Sequence, residues 1–358
     1  APSSGQNLPQ IVTHILQKAF FKHALEHLPF TLRTVTEKEF IIMKKILIKL
    51  LPFLGIAAAV LTDVTIPDSQ LQPAADKPYF LYFLGILAVL YTILFLFSFL
   101  NKKTDEKITY KAPFFAGTAI LITAINLVTS KYALLPVLFF PCLDRVFGVF
   151  ATDYALLGEC ILASGKLLLR GFLTGGILGF FTGVLIGFNK KASYWISPLM
   201  KFVGPIPPTS WSPLVLSLFT TTYSASVFMV ALAVWFPVTL MTSSGIQNVN
   251  NSYFEVASTL GAQKGYKIFK VAVPAAMPSI FLGIFYATCS AFVTLVTAEL
   301  LGADAGLGWY LNWEKSMMLY ANVYAGLILI AAICTLVITL VFKIKDQVLV
   351  WQRGVIKW

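Results

Sequence analysis

Glu255-Val256-Ala257-Ser258-Thr259-Leu260-Gly261-Ala262, running on to Val271-Ala272-Val273-Pro274, is a polar interruption in a chain that is otherwise strongly apolar. Around it, residues 245–276 carry Asn, Ser, Lys and a carboxylate at helix-compatible spacing. Of 358 residues, 58% are hydrophobic and only 12% charged. A soluble domain is about half apolar and a quarter charged, so the composition specifies an integral membrane protein. Long apolar runs recur at 46–62, 79–100, 114–130, 167–188, 203–220, 225–244, 277–300 and 323–342. Each approaches the ~20 residues a helix needs to cross the hydrocarbon. The expected fold is therefore all-α and polytopic, with about eight transmembrane helices. The first and fifth runs are the weakest, interrupted by Lys49 and by Pro205, Pro207, Pro208 and Pro213. A loop as long and patterned as 245–276, between membrane spans, is expected to touch a partner.

The net charge of +11 is a topology signal. With eight spans and both termini on one side, most Lys and Arg fall on that side. Basic short loops mark the cytoplasmic face, which places both termini and the loop around Glu255 in the cytoplasm. No separate basic domain exists, so nucleic acid is not an expected partner; membrane lipid is.

The spacing of the quoted stretch resembles the EAA loop of ABC-importer permeases. That loop reads Glu-Ala-Ala, three residues, Gly, nine residues, then aliphatic, any residue, aliphatic, Pro. Glu255, Ala257, Gly261, Val271, Val273 and Pro274 stand at those places, with Val256 replacing the middle Ala. Two further stretches resemble the nitrate/sulfonate/taurine/bicarbonate branch. One is Pro205-Ile206-Pro207-Pro208 leading to Trp211. The other is Ala298-Glu299-Leu300-Leu301-Gly302-Ala303 followed by Gly306-Leu307-Gly308.

The resemblance implies a six-helix permease core, here preceded by two extra N-terminal helices. The expected parts are an amphipathic segment 1–45, an extra helix pair 46–112, the permease domain 113–345 and a tail 346–358. It further implies the transmembrane subunit of an ATP-driven, binding-protein-dependent importer in a bacterial inner membrane. Its solute would be small, an anion of the nitrate, sulfonate, taurine or bicarbonate kind. Glu255, Ala257, Leu260, Gly261, Val273 and Pro274 would then couple to a cytoplasmic ABC ATPase dimer, which would hold ATP and Mg. Pro205, Pro207, Pro208, Trp211 and Glu299 would lie on the translocation pathway. A second permease subunit, most simply a second copy, and an extracytoplasmic solute-binding protein complete the expected assembly.

The residues carry expectations of their own. Proline lacks an N–H and its ring clashes with the preceding turn, so 204–213 cannot be a regular helix. Irregular backbone at membrane depth is tolerated where it is buried in protein or lines a wet cavity. Glu299 is a carboxylate in an apolar run; the expected partners are backbone N–H groups of the turn at 302–308. Arg170 is expected to snorkel or to pair with Glu159. Gly171, Gly175, Gly176, Gly179, Gly183 and Gly187 give one helix a small face suited to close packing. Gly261 is expected to break the loop helix, Pro274 to start the next span, and Glu255 to suit its helix N-terminus.

Other signals point to bland readings. His23-Ala24-Leu25-Glu26-His27 matches the H-x-x-E-H pattern of inverted zinc peptidases. However, His14 lies on a different face, and a solvated polar helix accounts for the stretch. Ile11, Ile15, Ala19, Phe20 and Leu28 suggest a basic interfacial helix. Met43-Lys44-Lys45 before an apolar run reads as a signal anchor, with Met43 also readable as a native start. Cys142 and Cys160 share one outward loop where a disulfide is permitted. No phosphate-binding loop G-x-x-x-x-G-K-[ST] is present, so ATP hydrolysis would have to come from another subunit. The rival reading is a stand-alone secondary transporter or channel, which would need intramembrane charges beyond Glu299 and Lys49.

Overall fold

The computed structural model describes residues 30–351. The His23–Glu26–His27 pattern and the amphipathic stretch 11–28 lie outside the described residues. Every regular element among the described residues is helical, and the chain divides into two compact units at Leu135/Pro136.

In the first unit, α1 (Phe30–Thr65), α2 (Tyr79–Leu100) and α3 (Lys102–Asn126) form a three-helix bundle, with a π-turn at Leu127–Lys131. Gly55 meets Ala116 and Ala119, and Asp63 meets Asn126 and Lys131, so α1 and α3 run parallel, with α2 returning between them in sequence. Lys49 is buried and pairs with Asp105. Its ammonium also lies 3.3 Å from the Ser98 hydroxyl, and its carbonyl accepts from the Tyr91 hydroxyl at 2.7 Å. At the other end Lys131 bridges Asp63 at 3.0 Å and Asp68 at 2.9 Å. Lys49 interrupts the first apolar run, and in the fold it is paired. A buried charge persists only when paired and hydrogen-bonded. The boundary that the resemblance implies, between residues 112 and 113, lies within the length of α3. That helix carries Asp105 and the Gly55 contact, so it packs with α1 and α2.

The second unit contains α4 (Leu143–Thr152), α5 (Tyr154–Phe188), α6 (Lys190–Val203), α7 (Ser212–Leu218), α8 (Thr222–Gln247) and α9 (Asn251–Thr259). It continues through α10 (Val273–Leu300), α11 (Leu307–Ser316) and α12 (Tyr320–Val348). Its centre is the contact of α5 with α8. A Cβ on Gly171 would meet Val230 at 2.6 Å, on Gly175 the Ala231 carbonyl oxygen at 2.2 Å, and on Gly183 Thr242 at 2.6 Å. Gly179 and Gly187 face Trp235, Val238 and Ile246 in the same way. Gly176 stands off this line, 3.9 Å from Val234. With no side chain in the way, polar groups reach across: Thr182 and Thr239 hydroxyls lie 2.8 Å apart, and the Trp235 indole donates to Thr182 at 3.1 Å. Such interhelical bonds contribute on the order of 0.6–2 kcal/mol each in lipid.

Contact positions rise together along α5 and α8, so these helices are parallel, and the chain between them must cross back. Seven helices among the described residues are long and apolar enough to span a membrane, and 203–220 is not one of them. The return is made in pieces. Gly204 lies against the Phe236 ring midway along α8, a 3-10 turn follows at Pro208–Trp211, and Val215 of α7 packs with Ala225, Met229 and Ala298. The eight expected spans are thus seven long helices and one broken crossing. Gly245 meets Ala276 and Ser279, whereas Gly283 meets Pro237 and Met241, so α10 runs antiparallel to α8. Phe285 packs on Phe342, whereas Phe292 and Leu295 share a cluster with Ile333 and Cys334, so α12 runs antiparallel to α10.

Candidate functional site

Three groups of predicted residues fall at different depths of the second unit. The connection from α8 to α10 lies at one end. Asn250 caps α9 by accepting from the Ser252 N–H at 3.0 Å. Glu255 therefore sits in mid-helix; the N-terminal position expected for it belongs to Asn250. At the C-terminus, Ala262 N–H donates to the Ala257 carbonyl at 2.9 Å and Gly261 N–H to the Ser258 carbonyl at 3.0 Å. Gly261 has φ +77°. This is a Schellman stop, and its left-handed residue is glycine because a Cβ there is strained. The chain then turns through Lys264–Tyr266 and a π-turn at Lys267–Ala272 into α10. Pro274 lies in the first turn of α10, and the π-turn just before it absorbs the missing N–H.

The connection has two faces. Phe254 packs on Phe188, and with Ile268 and Val273 it covers the cluster of Val184, Ile246, Ala272, Ala276 and Ile280. Lys267 donates to the Ser258 hydroxyl at 2.7 Å, tying the two arms together. The other face is uncovered: Leu260 is 81% exposed, and Tyr253, Val256 and Tyr266 are also exposed. These four, with Ala257 and Gly261, line a cleft of about 880 Å³. Glu255 is exposed and makes no ion pair among the described residues.

The broken crossing occupies the middle. Gly204, Ile206 and Pro208 line a cavity of about 330 Å³ together with Phe236, Tyr286 and Ser290. Pro205 and Pro207 are exposed beside it. Trp211 is half-buried against the Val215–Met229 cluster, and its indole nitrogen is buried with no partner among the described residues.

Glu299 lies at the opposite end from α9 and is buried. It accepts from the Ser164 hydroxyl at 2.6 Å and the Gly308 N–H at 2.7 Å. Ser164 in turn accepts from the Leu307 N–H at 2.8 Å. Gly306, at φ +144°, passes so close that a Cβ would lie 2.5 Å from the carboxyl carbon. The turn at 302–308 is thereby folded over the carboxylate. Ser164 was missed in the sequence, although it extends the small face of α5 by one heptad below Gly171.

A second carboxylate group was also missed. Asp153 accepts from the Tyr310 hydroxyl at 3.1 Å and the Asn322 amide at 3.0 Å. Glu314 is buried nearby, with Oε2 lacking a partner among the described residues. Burial, then the Asp153 charge, pushes the Glu314 carboxyl above its ordinary range. The same two causes push the Tyr310 hydroxyl up, so it stays a donor. Arg170 makes no ion pair with Glu159; its guanidinium lies 5.5 Å over the Tyr223 ring. Cys142 and Cys160 are not joined by a disulfide.

Comparison with known proteins accords with this arrangement. The family model of the binding-protein-dependent transport system inner membrane component matches residues 175–350. An aliphatic sulfonates transport permease protein of Bacillus subtilis is 32% identical over 51% of this chain and 67% of its own length. A bicarbonate transport system permease protein of Synechococcus elongatus is 28% identical over 62% and 75%. A nitrate import permease protein of Leptolyngbya laminosa is 28% identical over 52% and 68%. With seven long apolar helices, a broken crossing and this match, the chain is a multi-pass membrane protein that belongs to the family of inner-membrane permease components of binding-protein-dependent ABC transport systems.

Proposed function

We propose that this chain is the permease subunit of an importer for a small anion, driven by a separate cytoplasmic ABC ATPase dimer that docks on α9. The observation that carries the reading is the two-faced connection at Asn251–Val273. Its inner face is fastened to the helix core through Phe254 and Ala276, whereas Leu260, Val256, Tyr253 and Tyr266 present an exposed apolar cleft. An apolar patch rimmed by polar residues marks a protein interaction surface. A push or pull on this helix reaches α8 and α10, because three residues join it to α8 and Phe254 packs on the cluster of Ile246, Ala272, Ala276 and Ile280.

Orientation follows from charge. Lys264, Lys267 and Lys270, with Lys190, Lys191, Lys343 and Lys345, lie at the α9 end of the unit. Asp153, Glu159, Asp304 and Glu314 lie at the other, with fewer bases, Arg145, Lys166, Arg170 and Lys315. By the bias of basic residues toward the inside, the α9 end is cytoplasmic. The broken crossing at 204–211 supplies irregular backbone beside a cavity, which suits a pathway wall. In this reading Pro208 lines the path, Pro205, Pro207 and Trp211 shape the break, and Glu299 fastens the outer turn without contacting solute. The sulfonate, bicarbonate and nitrate relatives support an anionic solute. A second copy supplies the other half of the path, and a solute-binding protein delivers from outside.

The test is co-purification of the ATPase with wild-type and Leu260→Asp chains from the native host. Retention by the wild type and loss by Leu260→Asp, with unchanged helix content, is expected. Equal retention by both contradicts docking on α9.

A further inference from the structure

We propose a transient oxyanion-binding pocket at the outer mouth, built on Lys166 and Arg170 of α5. This rests on the importer reading above and names where its solute is first held. The pocket is a cleft of about 530 Å³ lined by Glu159, Lys166, Arg170, Tyr223, Ser226 and Asp304, among others. Four charged side chains thus face one cleft, and none of them makes an ion pair among the described residues. Lys166 and Arg170 are four apart on α5, so they project from one face a single turn apart.

Arg170 is prepared for an oxyanion. Its guanidinium carbon lies 5.5 Å from the centroid of the Tyr223 ring, and the side chain is exposed at the cleft. A guanidinium edge matches two oxygens of a carboxylate-like or sulfonate group at once. Lys166 adds a point charge, and Ser226, only 2% exposed, adds a hydroxyl at the floor. Tyr223 and Ser226 belong to the first turns of α8, whose N-terminal dipole end favours negative charge. The far rim, Ala303 to Ala305, belongs to the turn that Glu299 and Gly308 hold in place.

Glu159, two turns before Lys166 on α5, and Asp304, on the far rim, line the same cleft as the two cations. They lower the affinity for an anion, which a transport site requires, since a solute held too tightly does not move on. The ligand class is a small oxyanion carrying little else: sulfonate, nitrate or hydrogencarbonate.

Equilibrium dialysis of radiolabelled methanesulfonate against the full-length chain in complex with its ATPase tests the pocket. Wild type is expected to bind, with nitrate and bicarbonate displacing the label. Arg170→Gln and Lys166→Gln each weaken binding about tenfold or more, and Arg170→Lys less, because charge remains but the fork is lost. Lys343→Gln, at the far end of α12, binds as wild type. In uptake, the same pocket variants raise KM with kcat little changed. Equal binding by wild type and Arg170→Gln while the ATPase still co-purifies overturns the pocket and leaves the importer reading standing. Displacement of the label by choline chloride at matched ionic strength likewise overturns it, since that marks general screening.

Discussion

The two ends of the second unit are built on opposite terms. At the end away from α9 carboxylates are fastened: buried Glu299 holds Ser164 and the Gly308 N–H, and half-buried Asp153 holds Tyr310 and Asn322. At the α9 end the polar groups are exposed, and the apolar ones at Leu260 and Val256 are uncovered. Buried polar networks specify a single arrangement when every member is satisfied. An uncovered apolar face specifies nothing until a partner fills it. The contrast sets a fastened turn at one end against an uncovered apolar face at the other; in the proposed reading these are the solute's mouth and the place where force enters. Between them the α5–α8 contact is a stiff spine, since backbones that touch cannot slide without collision.

Breaking the spine has the largest effect. Gly175→Ala sets a Cβ 2.2 Å from the Ala231 carbonyl oxygen, which no rotamer relieves, and is expected to cost about 3 kcal/mol or more. Gly176→Ala, one residue on and with only Val234 at 3.9 Å, is expected to stay within about 0.5 kcal/mol. Thermal unfolding of the two variants in detergent reads the difference; similar losses contradict the parallel contact.

Cutting the outer fastening comes next. Glu299→Ala strands the Gly308 N–H and the Ser164 hydroxyl, each worth about 1–3 kcal/mol when buried without a partner. Melting temperature should fall, and Glu299→Gln, which keeps one acceptor, should fall less. A Glu299→Ala chain as stable as wild type contradicts the fastening.

At the open end stability and function should separate. Gly261→Val forces a β-branched residue to φ +77°, at about 1–3 kcal/mol locally. Its neighbourhood is open space, with nothing within 4 Å of a Cβ, so the helix core should melt nearly as before. ATPase-coupled uptake should nevertheless be lost. Uptake at the wild-type rate sinks the coupling role of this turn.

The smallest effect is at Glu314. Its carboxyl is raised in the folded chain by burial and the Asp153 charge. The neutral form is therefore favoured, and stability is greatest below the unfolded value of about 4.3. It declines as pH rises through the raised value. Glu314→Gln should thus gain melting temperature over wild type at pH 8 and lose that gain at pH 4. A gain independent of pH contradicts the assignment.

Much of this was legible in the sequence because it depends on local pattern. Glycines at spacings of three and four announced a close helix face, and Gly261 with Pro274 announced a stop and a start. The prolines at 205–208 announced a break, whose depth beside Phe236 could be read only from the packing. What stayed hidden lies between distant segments. Ser164 stands 135 positions from Glu299 and Asp153 169 from Asn322, and no periodicity links them. Lys49 looked like a flaw because its partner Asp105 sits 56 positions on in another helix. The packing of α3 on α1 was hidden for the same reason, since its contacts lie in a distant helix.

The central claim is that α9 is the docking helix, and photo-crosslinking tests it most directly. A photoreactive residue at position 260, with position 54 as the control, is irradiated in membranes holding the whole transporter. Leu54 is 64% exposed on α1, within an apolar span, so the control probe is uncovered but away from the α9 connection. The account predicts a crosslink from 260 to the ATPase subunit, changed in yield by trapping with ATP analogue, and none from 54. No ATPase adduct at 260, in a preparation where ATP drives uptake, contradicts it.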